Sequence, residues 1–297
     1  MTNLLLFVVL AWLAPQPART PQAAVDELLA ADRGFSAAGA KLDVIASISA
    51  MFADDVVIMP VPPDGFARGK AKAIEALSGN PDNPKSMIEW TPIRGGISAD
   101  GQHGFTFGYM TLRRPDASRV PIKYLSYWVR QQTGWRVAVY KRGRSAEVSG
   151  PHDLMPPALP AQLVAPTTDA AVIARYRDSL DRAERAFSDE AQKIGIGPAF
   201  AKHGSPDAVN MGPAIAPRFI VGAEAIGRGI AGAGPPAGSP LTWAPDQVIV
   251  ASSGDLGVTV GMLRRNAPPP EGQPATIPFI TVWRRGSVSQ PWRYVAE

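Results

Sequence analysis

The stretch Gly101–Gly108, with the sequence GQHGFTFG, has a counterpart 153 positions later in Gly254–Gly261, with the sequence GDLGVTVG. In both stretches a turn bounded by glycines leads into residues that alternate in size. Alternation with a period of two predicts a β-strand whose two faces meet different surroundings. The recurrence of the same pattern in the same phase indicates that the chain contains an internal repeat.

Further segments repeat in the same order on both sides of these strands. The matched segments are Asp32–Ser36 with Glu184–Ser188, Trp90–Pro92 with Trp243–Pro245, Tyr124–Trp128 with Phe279–Trp283, and Trp135–Val137 with Trp292–Tyr294. The offset drifts only from 152 to 157 along the chain. The period is far longer than that of a solenoid repeat, so each copy is expected to enclose its own core.

The repeat divides the 297 residues into four predicted parts. Residues 1–23 are a predicted signal peptide, 24–142 the first domain, 143–169 a linker and 170–297 the second domain. The linker assignment rests on five prolines among Ala, Ser and Gly, with no periodic apolar face. A chain of this length is also expected to form two domains.

Each copy is predicted to begin with helices and to end with antiparallel strands, the order of an α+β fold. Apolar residues at helical spacing open the copies at Val25–Phe35 and Tyr176–Phe187. The run from Gly227 to Gly232 spells G-x-G-x-x-G, but prolines follow it, so the sequence predicts a loop and no dinucleotide site.

Composition excludes several classes of function. The chain has no cysteine, so disulfides, thiolate metal sites and cysteine nucleophiles are excluded. The net charge of +4 is too small and too scattered for a nucleic-acid partner. The three histidines lack metal-ligand spacing, so neither a metal nor a cofactor is expected.

The apolar run Leu4–Leu13 has the length of a signal-peptide core and is too short to span a bilayer. It predicts export to the periplasm or beyond the cell. An uncleaved anchor is the alternative, and no other stable membrane span is predicted.

Taken in order, the repeated motifs resemble those of the SnoaL-like branch of the nuclear-transport-factor-2-like (NTF2-like) superfamily. The motifs are the acidic residue before Phe-Ser, Phe52–Val56, Trp90–Pro92, the Gly-x-x-Gly-Phe-Thr-x-Gly strand and Tyr124–Arg130. The resemblance implies two cone-shaped domains, each a curved antiparallel sheet wrapped on N-terminal helices with one pocket. Such cones include isomerases, cyclases, dehydratases, hydrolases and binding modules, so the fold does not fix the function.

The two copies depart from this pattern differently. Where the family often has an acidic residue after its last Trp-Lys-Val, the first copy has Tyr140, and the second copy reaches Glu297. Lys123-Tyr124 in the first copy becomes Pro278-Phe279 in the second. The second pocket is therefore expected to be more apolar, or only structural.

Acid–base chemistry in such a cone needs a desolvated carboxylate opposite a hydroxyl donor. The first copy offers Asp32 as the base and Tyr109 as the donor. The alternative is that Asp32 is a solvated or capping residue and the tyrosines are core aromatics. Candidate ligand-binding residues in the two copies are Trp90, Lys123, Tyr124, Tyr140, Glu184, His203, Trp243 and Met262.

Two of these candidates have plainer interpretations. Glu184 stands among Arg177, Asp181 and Arg185, a pattern typical of a surface ion-pair ladder. His203 precedes Gly-Ser-Pro and is expected to lie in an exposed loop.

Three functions therefore stay open from the sequence. The first is an exported protein that binds a small apolar or amphipathic molecule. The second is a cofactor-free acid–base enzyme that uses the first pocket. The third is a structural pseudo-dimer within one chain, formed by the two cones.

Overall fold

The computed structural model describes residues 19–60, 65–148, 152, 154–231, 238–269 and 271–297. It forms two units with the same order of elements. The first unit contains α1 (Pro21–Gly39), α2 (Val44–Ser49), β1 (Phe52–Met59), β2 (Ala67–Arg68), α3 (Lys70–Gly79), β3 (Met87–Ile97), β4 (His103–Arg113), β5 (Arg119–Gln131) and β6 (Gly134–Arg144). The second contains α4 (Ala170–Ile194), α5 (Ile196–His203), β7 (Gly204–Asn210), β8 (Ile220–Val221), α6 (Ala223–Ala231), β9 (Leu241–Val250), β10 (Leu256–Arg265), β11 (Thr276–Arg284) and β12 (Arg293–Ala296).

Each unit has its own six-stranded sheet, and the two sheets share one topology. The strand orders are β2-β1-β6-β5-β4-β3 and β8-β7-β12-β11-β10-β9. The last four strands of each unit run antiparallel, while the first strand pairs in parallel with the last. The predicted α+β class with two curved-sheet units is confirmed, and no strand is shared between the described sheets.

The helices cover one face of each sheet and close separate cores. Helix α1 packs on β3, and α4 packs on β9 in the same way. Thr20 caps α1 and Asp169 caps α4 through their side-chain oxygens, which accept backbone N–H groups that a helix leaves unpaired at its start. Both opening helices thus begin where the repeat predicts helices.

The loop prediction for Gly227–Gly232 is wrong for the residues that the structure describes. Helix α6 continues through Gly227 to Ala231 before the prolines are reached. A Cβ atom on Gly227 would lie 2.4 Å from the carbonyl oxygen of Gly197. The glycine is therefore required for close packing of α6 on α5, and its role is structural.

The other faces of the two sheets pack against each other. One hydrophobic cluster contains Phe105, Phe107 and Tyr127 from the first unit together with Val258 and Ile280 from the second. Burial of large apolar side chains on both faces stabilises the arrangement. The contact between sheets has the form expected for a pseudo-dimer within one chain.

Polar contacts join the same surfaces at two turns. Asp100 accepts hydrogen bonds from the Ser252 hydroxyl at 2.8 Å and from the backbone N–H of Ser253 at 3.1 Å. In return, Asp255 accepts the backbone N–H of Ala99 at 3.0 Å. The two acidic turns therefore exchange partners across the interface.

In the described residues 154–169, the Pro-rich segment forms no helix and lies beside strand β3. Ala158 exchanges backbone hydrogen bonds with Gly95 and Ile97. Leu159 and Leu163 pack against the core of the first unit. The segment therefore covers part of the edge of the first sheet, a place where unpaired backbone groups would otherwise be exposed.

The predicted signal peptide lies outside the described residues up to position 18. Helix α1 begins at Pro21, slightly before the predicted domain start at residue 24. In the described part of the chain, no helix combines the length and the hydropathy needed to cross a bilayer.

Candidate functional site

Glu184 of α4 is buried in the interior of the second unit and is held by three donors. Its Oε1 accepts the indole N–H of Trp243 at 2.7 Å. Its Oε2 accepts the Thr259 hydroxyl at 2.5 Å and the indole N–H of Trp283 at 2.9 Å. The surface ion-pair prediction for Glu184 is wrong, because Asp181 and Arg185 pair with each other on the outer side of the helix.

A cavity of about 260 Å³ lies against this carboxyl group. Its wall is mainly apolar and aromatic, with contributions from Phe187, Ile196, Phe200, Ile230, Leu241, Trp243, Leu263, Pro278, Phe279 and Ile280. The few polar groups are Lys141, Glu184, Asn210, Thr281 and Glu297. An apolar wall with a few converging polar groups is typical of a site for a small molecule.

Glu297 is the second carboxyl group of the cavity. Its side chain accepts the Thr281 hydroxyl at 3.1 Å and the Asn210 amide at 3.2 Å. Residue 297 follows β12, which places it opposite Glu184 on the helix. The second pocket therefore combines a mainly apolar wall with two carboxyl groups.

Lys141 reaches the same cavity from the first unit. It lies on β6, on the side of the sheet that packs against the second unit, and is only 8% exposed. Its Nζ donates a hydrogen bond to the carbonyl oxygen of Ile280 at 3.2 Å. The cavity wall is therefore built by both copies.

Burial shifts the pKa of every ionisable group in this cavity toward the neutral form. Desolvation raises the pKa of Glu184 to about 7, because three hydrogen bonds to its carboxylate only partly offset the loss of water, and Glu297 adds repulsion. Burial also raises the pKa of Glu297. Desolvation lowers the pKa of Lys141 to about 8, although the charge of Glu297 opposes this fall.

The first unit holds Asp32 in the equivalent position, also buried. Asp32 accepts the indole N–H of Trp90 at 2.7 Å and the phenol O–H of Tyr124 at 2.8 Å. Burial raises its pKa, an effect that these hydrogen bonds oppose. The expectation of a solvated or capping Asp32 is therefore wrong.

Large side chains fill the space beside Asp32. Tyr140 packs against Phe52 with ring centroids 5.6 Å apart, and its hydroxyl contacts the Met110 sulfur at 3.5 Å. Tyr140 and Met110 are both buried. They occupy the positions of Glu297 and Leu263 in the second unit.

Among the predicted site residues, Trp90, Tyr124 and Trp243 donate to the buried carboxylates, whereas Tyr109 does not reach Asp32. Alternation along β4 directs Thr106, Gly108 and Met110 to the interior and places Tyr109 on the opposite face. There Tyr109 stacks on His152 with ring centroids 4.1 Å apart.

The same alternation explains Lys123 and Met262. Lys123 pairs with Tyr109 in register and faces the second unit. Its Nζ donates to the carbonyl oxygens of Met211, Ala216 and Arg218 at 2.6, 2.7 and 2.8 Å, so its three N–H donors are used between the units. Met262 is the counterpart of Tyr109, and the wall of the cavity contains its neighbour Leu263 instead.

His203 is the last residue of α5 and lies behind the cavity wall. Its Nε2 is 2.6 Å from a carboxylate oxygen of Glu190, and its ring stacks on Phe187 at 4.8 Å. The prediction of an exposed loop residue is wrong, because the imidazole is mostly covered.

Sequence reasoning missed Glu297 and Lys141 as site residues. The alignment of the two copies gives a signal for Glu297, since it stands at the position of Tyr140. Nothing in the repeat marks Lys141, because it enters the cavity from the other copy. In the described residues, no group of three or more His, Asp or Glu side chains is arranged to hold a metal ion.

No family model and no curated protein matches the chain. Solved structures do resemble it. An NTF2-like protein of unknown function from Pseudomonas putida is 16% identical, covers 46% of this chain and 100% of its own, and gives a TM-score of 0.33. A putative dehydratase of the NTF2-like family from Streptomyces avermitilis is 14% identical over 43% of this chain and 99% of its own, with a TM-score of 0.33.

A ketosteroid isomerase-like protein from Erwinia carotovora is 19% identical, covers 44% of this chain and 95% of its own, and gives a TM-score of 0.28. Each of these proteins matches less than half of the present chain. The assignment of the fold rests on the two sheets and their strand order. The chain is similar to NTF2-like proteins, in the tandem arrangement that its repeat predicts.

Proposed function

We propose that the second unit binds a small amphipathic molecule in the cavity beside Glu184. The observation that carries this proposal is an apolar cavity of about 260 Å³ with two buried carboxyl groups. The apolar body of the ligand would pack on Phe200, Leu263 and Phe279. Its polar group would meet Glu184 or Glu297, which favours a neutral hydroxyl or carbonyl over an anion.

The neutral fluorescent probe N-phenyl-1-naphthylamine tests this proposal. We expect its emission to rise on binding, and to fall when 3-phenylpropanol is added as a competitor. Leu263→Trp should remove the binding by filling the cavity. Ile215→Trp is the matched control, since Ile215 is 83% exposed. Unchanged binding by the Leu263→Trp protein would contradict the proposal.

An acid–base enzyme is the second candidate, and it fits the second cavity better than the first. Glu184 faces a cavity and has a pKa of about 7, a value suited to proton transfer near neutral pH. Asp32, which is held by hydrogen bonds as Glu184 is, lies instead in an interior filled by Tyr140 and Met110. Exchange of α-protons of a bound ketone with deuterated water, lost in Glu184→Gln, is the expected sign of such activity.

We propose that the first unit has a mainly structural role as the partner of the second within an internal pseudo-dimer. Lys123, the linker and the shared hydrophobic cluster all serve this contact. Export stays a prediction from the apolar run at residues 4–13. Fractionation of cells that produce the full chain would test it, with recovery only in the cytoplasm as the contrary outcome.

A further inference from the structure

Lys141 is set apart from the other buried lysine by its surroundings. Both side chains leave the first unit on the face that packs against the second, and both are almost fully covered. Lys123 satisfies its three N–H donors with three carbonyl oxygens. Lys141 has one hydrogen bond, to Ile280, and lies in the wall of a cavity.

A buried ammonium group with a single hydrogen bond is costly, because burial removes water that would otherwise solvate the charge. The neutral amine has a free electron pair and is a nucleophile toward carbonyl carbon. Lysines in apolar pockets serve this role in enzymes and carriers that form Schiff bases. The geometry here provides the same conditions, with an apolar chamber beside the amine.

We propose that Lys141 forms a reversible Schiff base with an aldehyde or ketone bound in the second-unit cavity. This inference rests on the proposed function, since it names the class of ligand for the same cavity. The reacting amine of Lys141 comes from the first unit, so neither copy alone would contain the complete site.

The reaction balances with groups that are present. The electron pair of Lys141 Nζ forms a bond to the carbonyl carbon, and the π electrons of the carbonyl move to its oxygen, which takes up a proton. The nitrogen then loses a proton, the hydroxyl receives one and leaves as water, and a protonated C=N bond remains. Glu297, a cavity carboxyl whose pKa is raised by burial, is suited to supply and recover these protons.

Reductive trapping tests the proposal on the full chain. The protein is incubated with 3-phenylpropanal and sodium cyanoborohydride, which delivers hydride to the C=N bond, and the modified lysine is located by peptide mass spectrometry. We expect Lys141 to be labelled at least 10-fold faster than Lys123 or the exposed Lys72. Lys141→Met and Lys141→Arg should lose this label, and retention of probe binding by either variant would show that the cavity is intact.

Parallel titration with N-phenyl-1-naphthylamine separates the two proposals. Displacement of the probe by 3-phenylpropanol without labelling of Lys141 would overturn the Schiff base and leave the binding function standing. Labelling no faster than at Lys72 would also overturn it. Failure of both probe binding and labelling would reject both proposals, whereas labelling of Lys141 alone would support the amine and reject the amphiphile site.

Discussion

The interiors of the two units share a buried carboxylate and its indole donor, but the first interior is filled by side chains and the second encloses a cavity. In each unit a carboxylate on the opening helix accepts the indole N–H of a tryptophan on the third strand. Asp32 accepts from Trp90 of β3, and Glu184 accepts from Trp243 of β9. Each also has a buried threonine, Thr106 or Thr259, bonded to a second indole. The framework around the carboxylate is therefore retained in both copies.

Three exchanged side chains separate the filled interior from the open one. Tyr124, Tyr140 and Met110 of the first unit become Phe279, Glu297 and Leu263 in the second. The change at Tyr124 removes a phenol that donates to Asp32, and Thr259 and Trp283 take over donation to Glu184. The change at Tyr140 replaces a large ring by a smaller acid. The comparison shows that a duplicated core can become a cavity while its buried hydrogen bonds persist.

Replacement of Tyr140 by the residue of the second unit should have the largest effect on stability. Tyr140→Glu would remove a buried ring and place a carboxyl group near Asp32, so we expect a loss of about 4 kcal/mol in the free energy of unfolding. Urea denaturation measures this loss. Tyr140→Phe is the matched control, which should cost less than about 1 kcal/mol because only a weak contact with the Met110 sulfur is removed. Similar costs for the two variants would contradict this comparison.

The order of elements could be predicted from the sequence because the repeat and the alternation are local patterns. The loop prediction was wrong for Gly227–Ala231, because the first proline comes only at residue 235 and close packing of α6 on α5 outweighs the low helix propensity of glycine. Likewise, Arg177, Asp181 and Arg185 suggested an exposed face at Glu184. On a helix, residues three and four apart share a face, and Glu184 belongs to the face of the buried Leu180 and Phe187, whereas the adjacent Arg185 is exposed.

The candidate site was harder to predict, because it is assembled from distant parts of the chain. The carboxylates and tryptophans repeat at offsets of 152 and 153, so the sequence itself indicates them. Tyr109, Lys123 and Met262 lie on the strand faces that point away from the interior. Which face each residue occupies depends on the pairing register of the strands. Lys141 enters from the other unit, and only the packing of the two sheets brings it to Glu297.

The pH dependence of stability should reveal the buried Glu184. Its pKa of about 7 lies above the ordinary value of 4.5, so the folded state binds the proton more tightly than the unfolded state. The stability contributed by protonated Glu184 is complete below pH 4.5 and is lost as pH rises toward 7, by about 3 kcal/mol at most. Urea unfolding between pH 5 and 7 measures the slope, and Glu184→Gln should flatten it.

Ile215→Gln is the control for that measurement, because the side chain of Ile215 is exposed. It should leave the slope unchanged. A Glu184→Gln protein with the slope of the wild type would show that Glu184 does not titrate in this range.

The smallest effect on stability concerns the indole donors of the two buried carboxylates. Trp90→Phe and Trp243→Phe each remove one N–H donor from a buried acid, at a cost of about 1–3 kcal/mol. Glu184 keeps the hydrogen bonds from Thr259 and Trp283, and Asp32 keeps those from Thr106 and Tyr124. We therefore expect Trp90→Phe and Trp243→Phe to cost the same within about 1 kcal/mol in urea unfolding. Because both substitutions remove similar apolar area, a larger difference would mean that the number of remaining donors does not govern the stability of these two buried acids.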